Sequence, residues 1–350
     1  MTDKFKLIPT NPIEVKKGAD VADILRRMEK VSFQGRNLAT AFRVWEKMLS
    51  GETTIFFGLA GAMVPAGMRR VISFLITNRF IDCLVSTGAN LFHDIHETLG
   101  WYHYLGSPKV DDEFLHEQGI DRIYDTFARE NEFVATDEEI GQFSAGLAQG
   151  KPITSREYFS RLGEHLVKNG KEKGIVSSAY SAGVPIYCPA IGDSSIGIRL
   201  ALNRLQKKLD IVFDVIKDVM ETAEIAKNSR KTGVIYIGGG TPKNFIQQTE
   251  ITANYMGGGP SPGHRYAVQI VADPPHWGGL SGCSFSEAVS WGKIARDADH
   301  VSVLCDATIA LPLIAHALAS AHPDNKKKRN FPRFEFGDET KLIHRLKDNG

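Results

Sequence analysis

Two hydrophobic rhythms alternate along the chain. Short runs of β-branched and aromatic residues end in glycine- or aspartate-bearing turns, and apolar positions then recur every three or four residues. Thr53–Leu59 (TTIFFGL) empties into small residues, GLAGAMVPAG, and a helix is expected from Met68 to Leu75. Ile81–Val85 closes on Ser86-Thr87-Gly88-Ala89-Asn90 ahead of a helix over about 91–99. The unit recurs at Val184–Ile191 before GDSSIG, at Gly233–Ile237 before GGGTPKN, at Tyr266–Val271, and at His300–Cys305. The last run ends at Asp306, ahead of an apolar helix to Ala319. Strand, small-residue turn and helix in repetition predict an α/β fold. Its core is a doubly wound, mostly parallel, Rossmann-like sheet with helices on both faces.

The flanks read differently. Residues 1–32 are expected to form a polar arm and a first helix, with Val21, Ile24, Leu25 and Met28 on one face. Phe42, Val44, Trp45 and Met48 mark a second helix within the main domain, taken as 33–321. Residues 100–178 are less regular, with a helix expected near 153–168. From 322 to 350 the chain is first basic, with KKKR at 326–329, then mixed in charge, and is expected to be a surface extension.

Composition narrows the classes. Hydrophobic residues make up 42% and charged residues 24%, ordinary for a globular protein. The formal charge of +1 gives no global field toward nucleic acid or an anionic membrane, so neither is an expected partner. No apolar run reaches the roughly 20 residues of a membrane span. The four cysteines form no C-x-x-C pair; three sit within or beside apolar runs, so buried, reduced thiols of a cytoplasmic protein are expected.

In a doubly wound sheet, ligands bind beyond the carboxyl ends of the strands. The loops at 58–67, 86–90, 192–197 and 238–244, and Asp306, are such ends. Small residues there allow close backbone approach, and helix N-termini favour phosphate. The dinucleotide fingerprint is only partial, as Gly58-x-x-Gly61 and Gly238-Gly239-Gly240. These residues alone leave NAD level with another nucleotide or no cofactor.

Ser284-Phe285-Ser286-Glu287 has the spacing of a capping box. A helix starting there and continuing past Ile294 aligns Ala288, Trp291 and Ala295, with Lys293 beyond its second turn. A lysine against an indole is partly desolvated, which favours the neutral, nucleophilic amine. The plainer reading is a surface lysine paired with Asp297. His93-Asp94-Ile95-His96-Glu97 places two imidazoles a helical turn apart. It is not H-E-x-x-H, and solvated or substrate-contacting histidines fit better than a metal site.

The run SEAVSWGKI resembles the active-site segment of deoxyhypusine synthases and related homospermidine synthases. AGMRRVISFLITNRFIDCLVST, VPIYCPAIGDSSIG, IYIGGGTPKNFI and DATIALPL extend the resemblance over roughly residues 33–320. It implies NAD as cofactor, a polyamine substrate, and a homotetramer with sites at subunit interfaces. It makes Lys293 the candidate nucleophile, carrying an aminobutyl group from spermidine as an imine. Thr87, Asp193, Ser281 and Asp306 match NAD-contacting positions. Glu287 and Trp291 match positions lining the polyamine tunnel.

The chain departs from the family at the proton-transfer histidine, replaced by Asn244, which can orient a substrate but is no general base. Two polyamine-clamping acids are replaced by Ile198 and Leu280, and a third falls at His93. The pattern resembles the diverged, bacterial-type deoxyhypusine synthase-like branch. A small diamine such as putrescine, giving homospermidine, is then the favoured acceptor. A protein lysine, another lysine-imine reaction, or a non-catalytic NAD-binding protein are the alternatives.

Overall fold

The computed structural model describes residues 8–147, 150–206, 211–258, 263–337 and 339–344. The start of the expected arm and the end of the expected extension lie outside these. Eleven strands are present among the described residues: β1 Thr53–Leu59, β2 Cys83–Ser86, β3 Tyr104–Leu105, β4 Ile120–Ile123, β5 Thr126–Arg129, β6 Ile186–Tyr187, β7 Lys231–Ile237, β8 His264–Val271, β9 Ile294–Leu304, β10 Pro332–Glu335 and β11 Lys341–His344. Six of them form one parallel sheet in the order β6-β2-β1-β7-β8-β9. Ranked along the chain, that is 3-2-1-4-5-6, the doubly wound order. Its switch point falls between β1 and β7.

Why these runs become buried strands is visible in their alternation. Ile55, Phe57 and Leu59 of β1 and Ile235 and Ile237 of β7 face one core. Phe56, Val234 and Tyr236 face the other. Successive side chains point to opposite faces, and both faces are covered, so near-continuous apolar runs result. One cover consists of α1 (Val21–Met28), α2 (Phe33–Ser50), α3 (Arg69–Thr77) and α13 (Ala307–Ala321). From α2, Phe42, Trp45 and Met48 are wholly buried, and the Trp45 indole donates to Phe80 O at 3.1 Å. The opposite cover includes α10 (Val215–Asn228), α11 (Gly240–Ala253) and α12 (Phe285–Ser290). At the β6 edge lie α4 (Gly88–Thr98), α6 (Glu130–Ala145), α7 (Ser155–Asn169), α8 (Ile175–Ala182) and α9 (Ser195–Leu205). Two short helices, α5 (Asp112–Glu117) and α14 (Asn325–Lys328), complete the set.

Three features differ from the sequence reading. Residues 104–129 contain an antiparallel sheet, β3-β5-β4, too short for its alternation to stand out. The KKKR run is not uniformly a surface feature: Arg329 is buried and donates to both carboxylate oxygens of Asp82, at 3.0 and 2.6 Å. It also donates to Arg79 O and Thr53 O, which ties the tail to the sheet at Arg329, while β11 packs on α10. The helix opened by Ser284 stops at Ser290, and Ala295 belongs to β9.

Candidate active site

That early stop is what places Lys293. Gly292 has φ 72°, the left-handed region open to glycine. Gly292 N–H donates to Val289 O, and Lys293 N–H donates to Ala288 O, each at 3.0 Å. This paired closure is a Schellman motif with Trp291 at the cap. Lys293 is therefore a turn residue, fixed on its other side by His264 N–H donating to Lys293 O at 3.0 Å. At the front of the helix, Ser284 Oγ accepts from Glu287 N–H at 3.1 Å, the serine half of the expected capping box. The expected partner of Lys293 is wrong, because Asp297 pairs with Arg265.

The Lys293 ammonium instead donates to Asn244 Oδ1 at 3.2 Å and lies 5.3 Å from the Trp291 ring centre. Trp291 is 64% exposed, so the aromatic wall has protein on one side only. Asn244 stands in the first turns of α11, beside a residue to which sequence reading gave no role. Lys243 is 1% exposed, and its ammonium donates to Gln269 Oε1 at 3.0 Å, Ser281 O at 3.2 Å and Cys283 O at 2.6 Å. Burial pushes its pKa down to about 8, opposed by Cys283 and Glu287 and assisted by the charge on Lys293. GGG-x-x-K was the available signal, since a lysine three residues into a helix behind a glycine turn has its stem in the core.

Lys243 and the glycine turn together pin the loop that carries Ser281. Ser281 Oγ accepts from Gly240 N–H at 3.2 Å, and Gln269 Nε2 donates to Ser281 O at 2.8 Å. A Cβ on Gly239 would lie 2.4 Å from Ser281 Cα, so glycine is needed there for the approach of the loop. Glu287 is exposed on α12 and acts electrostatically on both Lys243 and Cys283. Burial raises the Cys283 thiol, with Glu287 pushing the same way. Lys293, Asn244, Trp291, Glu287, Ser281 and Lys243 thus form one group.

The remaining expected residues line the carboxyl edge of the sheet. The edge is continuous across neighbouring strands: Thr87 N–H donates to Leu59 O, Ala60 N–H to Ile237 O, and Gly238 N–H to Ile270 O. Thr87 is the N-cap of α4, and its Oγ1 accepts from Asn90. Asp193 is exposed in the turn before α9. That turn touches the start of α4, since a Cβ on Gly88 would lie 2.5 Å from Ser194 Oγ. Asp306, exposed at the far end, caps α13 through Thr308 N–H at 2.8 Å. His93 is held by His103 in a separate cluster. Ile198 and Leu280, where acids were expected from the resemblance, are 60% and 42% exposed.

A dinucleotide fits this edge. Helix α4 begins without a capping side chain, whereas Ser194 and Asp306 cap α9 and α13, and Ser281 Oγ takes the first N–H of α11. Uncapped N-terminal N–H groups are ready donors for phosphate. No atom lies within 4 Å of a Cβ built on Gly192 or Gly240, which leaves room for a ligand. Asp193 and Asp306 present carboxylates of the type that receives ribose hydroxyls.

The doubly wound parallel sheet, with its open carboxyl edge, defines the class of fold: an α/β protein on a Rossmann-like scaffold. The deoxyhypusine synthase family model matches residues 23–318, and the chain belongs to that family, whose members are transferases moving an aminobutyl group. It is 54% identical to "Probable deoxyhypusine synthase 2" of Methanosarcina mazei over 316 residues, 90% of each chain. Against "Probable deoxyhypusine synthase 1" of the same organism identity is 38%, covering 89% of this chain and 94% of the other. A deoxyhypusine synthase-like protein of Elusimicrobium minutum is 34% identical, covering 94% and 89%. A solved Entamoeba histolytica chain carrying the deoxyhypusine synthase name shares the fold. Its TM-score is 0.57 at 19% identity, covering 87% of this chain and 96% of that one. No helix among the described residues is long and apolar enough to cross a membrane.

Proposed function

We propose that this protein is an NAD-dependent aminobutyl transferase in which Lys293 takes the group from spermidine and hands it to a small diamine such as putrescine. The observation that carries the reading is the Lys293 ammonium on Asn244 Oδ1, flanked by an indole and backed by the buried Lys243. NAD, when bound along the sheet edge, supplies the hydride acceptor and later the donor. Thr87, Asp193, Ser281 and Asp306 are the residues assigned to hold it. Glu287 faces a polyamine ammonium, and Trp291 covers its methylenes by cation–π and apolar contact. Asn244 orients the reacting amine, and the Lys293 amine adds to the oxidised substrate carbon, releasing diaminopropane and leaving an imine on Lys293. Attack by the acceptor amine then frees Lys293.

One observation favours a small acceptor. The Methanosarcina relatives come as two copies in one organism, and this chain sides with the second, at 54% against 38%. One enzyme suffices to modify one protein lysine, which leaves a second copy free for another amine. The acids that would grip spermidine are Ile198 and Leu280 here, which leaves the donor's desolvated ammonium groups fewer counter-charges and does not choose the acceptor. A homotetramer with sites at subunit interfaces belongs to the same proposal, as the open outer side of Trp291 suits a partner subunit.

Product analysis with NAD and spermidine, with and without putrescine, tests the acceptor. Homospermidine and diaminopropane in the putrescine sample are expected. Diaminopropane released only with a lysine-bearing protein substrate would reassign the acceptor to protein.

A further inference from the structure

The aminobutyl reading leaves one duty without a residue, because Asn244 cannot take a proton from the substrate amine. Away from the Lys293 group, α4 and the loop after it hold a line of hydrogen-bonded titratable groups. Glu97 Oε1 lies 2.7 Å from His103 Nδ1, and His103 Nε2 lies 2.9 Å from His93 Nδ1. The middle of this line is dry, with the His103 side chain 5% exposed, while Glu97 and His93 are each partly open.

The order of atoms fixes where the protons sit. An ionised carboxylate only accepts, so His103 carries its proton on Nδ1 and presents a lone pair at Nε2. His93 must then donate from Nδ1, which leaves Nε2 of His93 as a bare lone pair. That is the form a general base requires. His93 lies six residues beyond Thr87, about 9 Å along the helix axis from the carboxyl edge of β2. We propose that Glu97, His103 and His93 form a proton relay whose terminal atom, His93 Nε2, accepts the substrate ammonium proton during oxidation.

The step balances. The protonated secondary amine loses one N–H proton to His93 Nε2, and its neighbouring carbon loses hydride to an oxidised nicotinamide dinucleotide. The C–H bond breaks, a C=N bond forms, and the substrate leaves as an iminium ion. The proton passes on as His93 Nδ1–H moves to His103 Nε2, which sets the positive charge beside Glu97. Burial, with His103 and His96 adding to the fall, pushes His93 down to about 3, so the imidazole rests neutral and holds the proton only by passing it on to His103 beside Glu97. The surroundings hold the line in register. From α4 itself come Asp94 and His96, the latter on Thr136 Oγ1 at 2.9 Å. From α3, Arg69 bridges Asp94, Glu97 and Glu172. From α6, Phe133 packs edge-on to His93 and His96, and Glu132 accepts from Tyr104.

The proposal rests on the aminobutyl reading for its substrate but not for its geometry, and two measurements separate them. In full-length protein labelled with ¹⁵N-histidine, His93 is expected as the Nδ1–H tautomer at neutral pH and as Nε2–H in Glu97→Gln. An Nε2–H tautomer in the wild-type protein overturns the relay. Spermidine-dependent NADH formation is expected to fall by about 10²–10⁴ in His93→Gln and in Glu97→Gln, with NAD affinity kept. Asn244→His in the His93→Gln background is expected to recover at least about tenfold of the rate, which a merely structural loss would not allow. A wild-type rate with unaffected variants sinks the relay alone. No NADH from spermidine in the wild-type protein sinks the transferase reading, and with it the proton's assigned source. If His93→Gln fails to fold, Glu97→Gln carries the test through the reversed tautomer.

Discussion

Lys243 and Lys293 are the same residue in opposite circumstances. Lys243 is sealed, and three oxygens take its three protons, two of them main-chain carbonyls of the loop it anchors. Lys293 is partly open, makes one side-chain hydrogen bond, and stands on a turn that only a left-handed glycine allows. An ammonium with every proton donated in a closed shell is a fastener. One with a single amide partner and an open indole beside it has room for a substrate and protons to lose. Burial by itself therefore points away from the proposed nucleophile, and the count of satisfied protons points toward it.

The sharpest way to break this contrast is Lys293→Ala. Turnover is expected to fall by at least about 10³-fold, with stability changed by less than about 0.5 kcal/mol and NAD affinity kept, as checked by steady-state kinetics, melting and titration. Loss of NAD affinity in step with activity would make Lys293 structural. Lys243→Met should do the reverse. Stranding Ser281 O, Cys283 O and Gln269 is expected to cost about 2 kcal/mol and weaken NAD binding about tenfold through the Ser281 loop.

The same pair differs in pH response. With Lys243 held down to about 8, the folded state releases its proton while the unfolded chain, at an ordinary 10.5, still binds one. More protons on the unfolded side mean that stability rises with pH from about 8 toward 10.5. Denaturant melts of wild type and Lys243→Met across that window are expected to differ in slope, with the rise missing from the variant. Smaller still is Gly292→Ala. A Cβ meets no atom within 4 Å there, so the change acts through φ alone, at about 1 kcal/mol, while re-aiming Lys293. Ser284→Ala removes the opposite cap of the same short helix, and a melt should show a loss of about 1 kcal/mol.

Much of the scaffold was legible because each parallel strand declares itself twice, by an apolar run and by the small-residue turn that ends it. The order 3-2-1-4-5-6 was not legible, because the same rhythm with right-handed crossovers also builds other doubly wound orders. The helix after Ser284 was read too long because its periodicity continues through Gly292, and only the backbone shows that glycine left-handed. Arg329 looked like the last of four surface cations. Its burial depends on Asp82, 247 residues earlier, which no local pattern can reveal. Lys243 lies within the glycine-turn motif, but two of its acceptors come from a loop about forty residues on and the third from β8, so no local pattern assigns it a role. The histidines of α4 were noticed, but His103 completes their line from outside the helix, so spacing along the helix could not order them.

Trapping shows whether Lys293 carries the transferred group. The full-length protein would be incubated with NAD and spermidine, treated with borohydride, digested and mapped by peptide mass. A reduced aminobutyl adduct is expected on Lys293 and none on Lys243. An adduct on Lys243, or diaminopropane released with neither lysine modified, would contradict this.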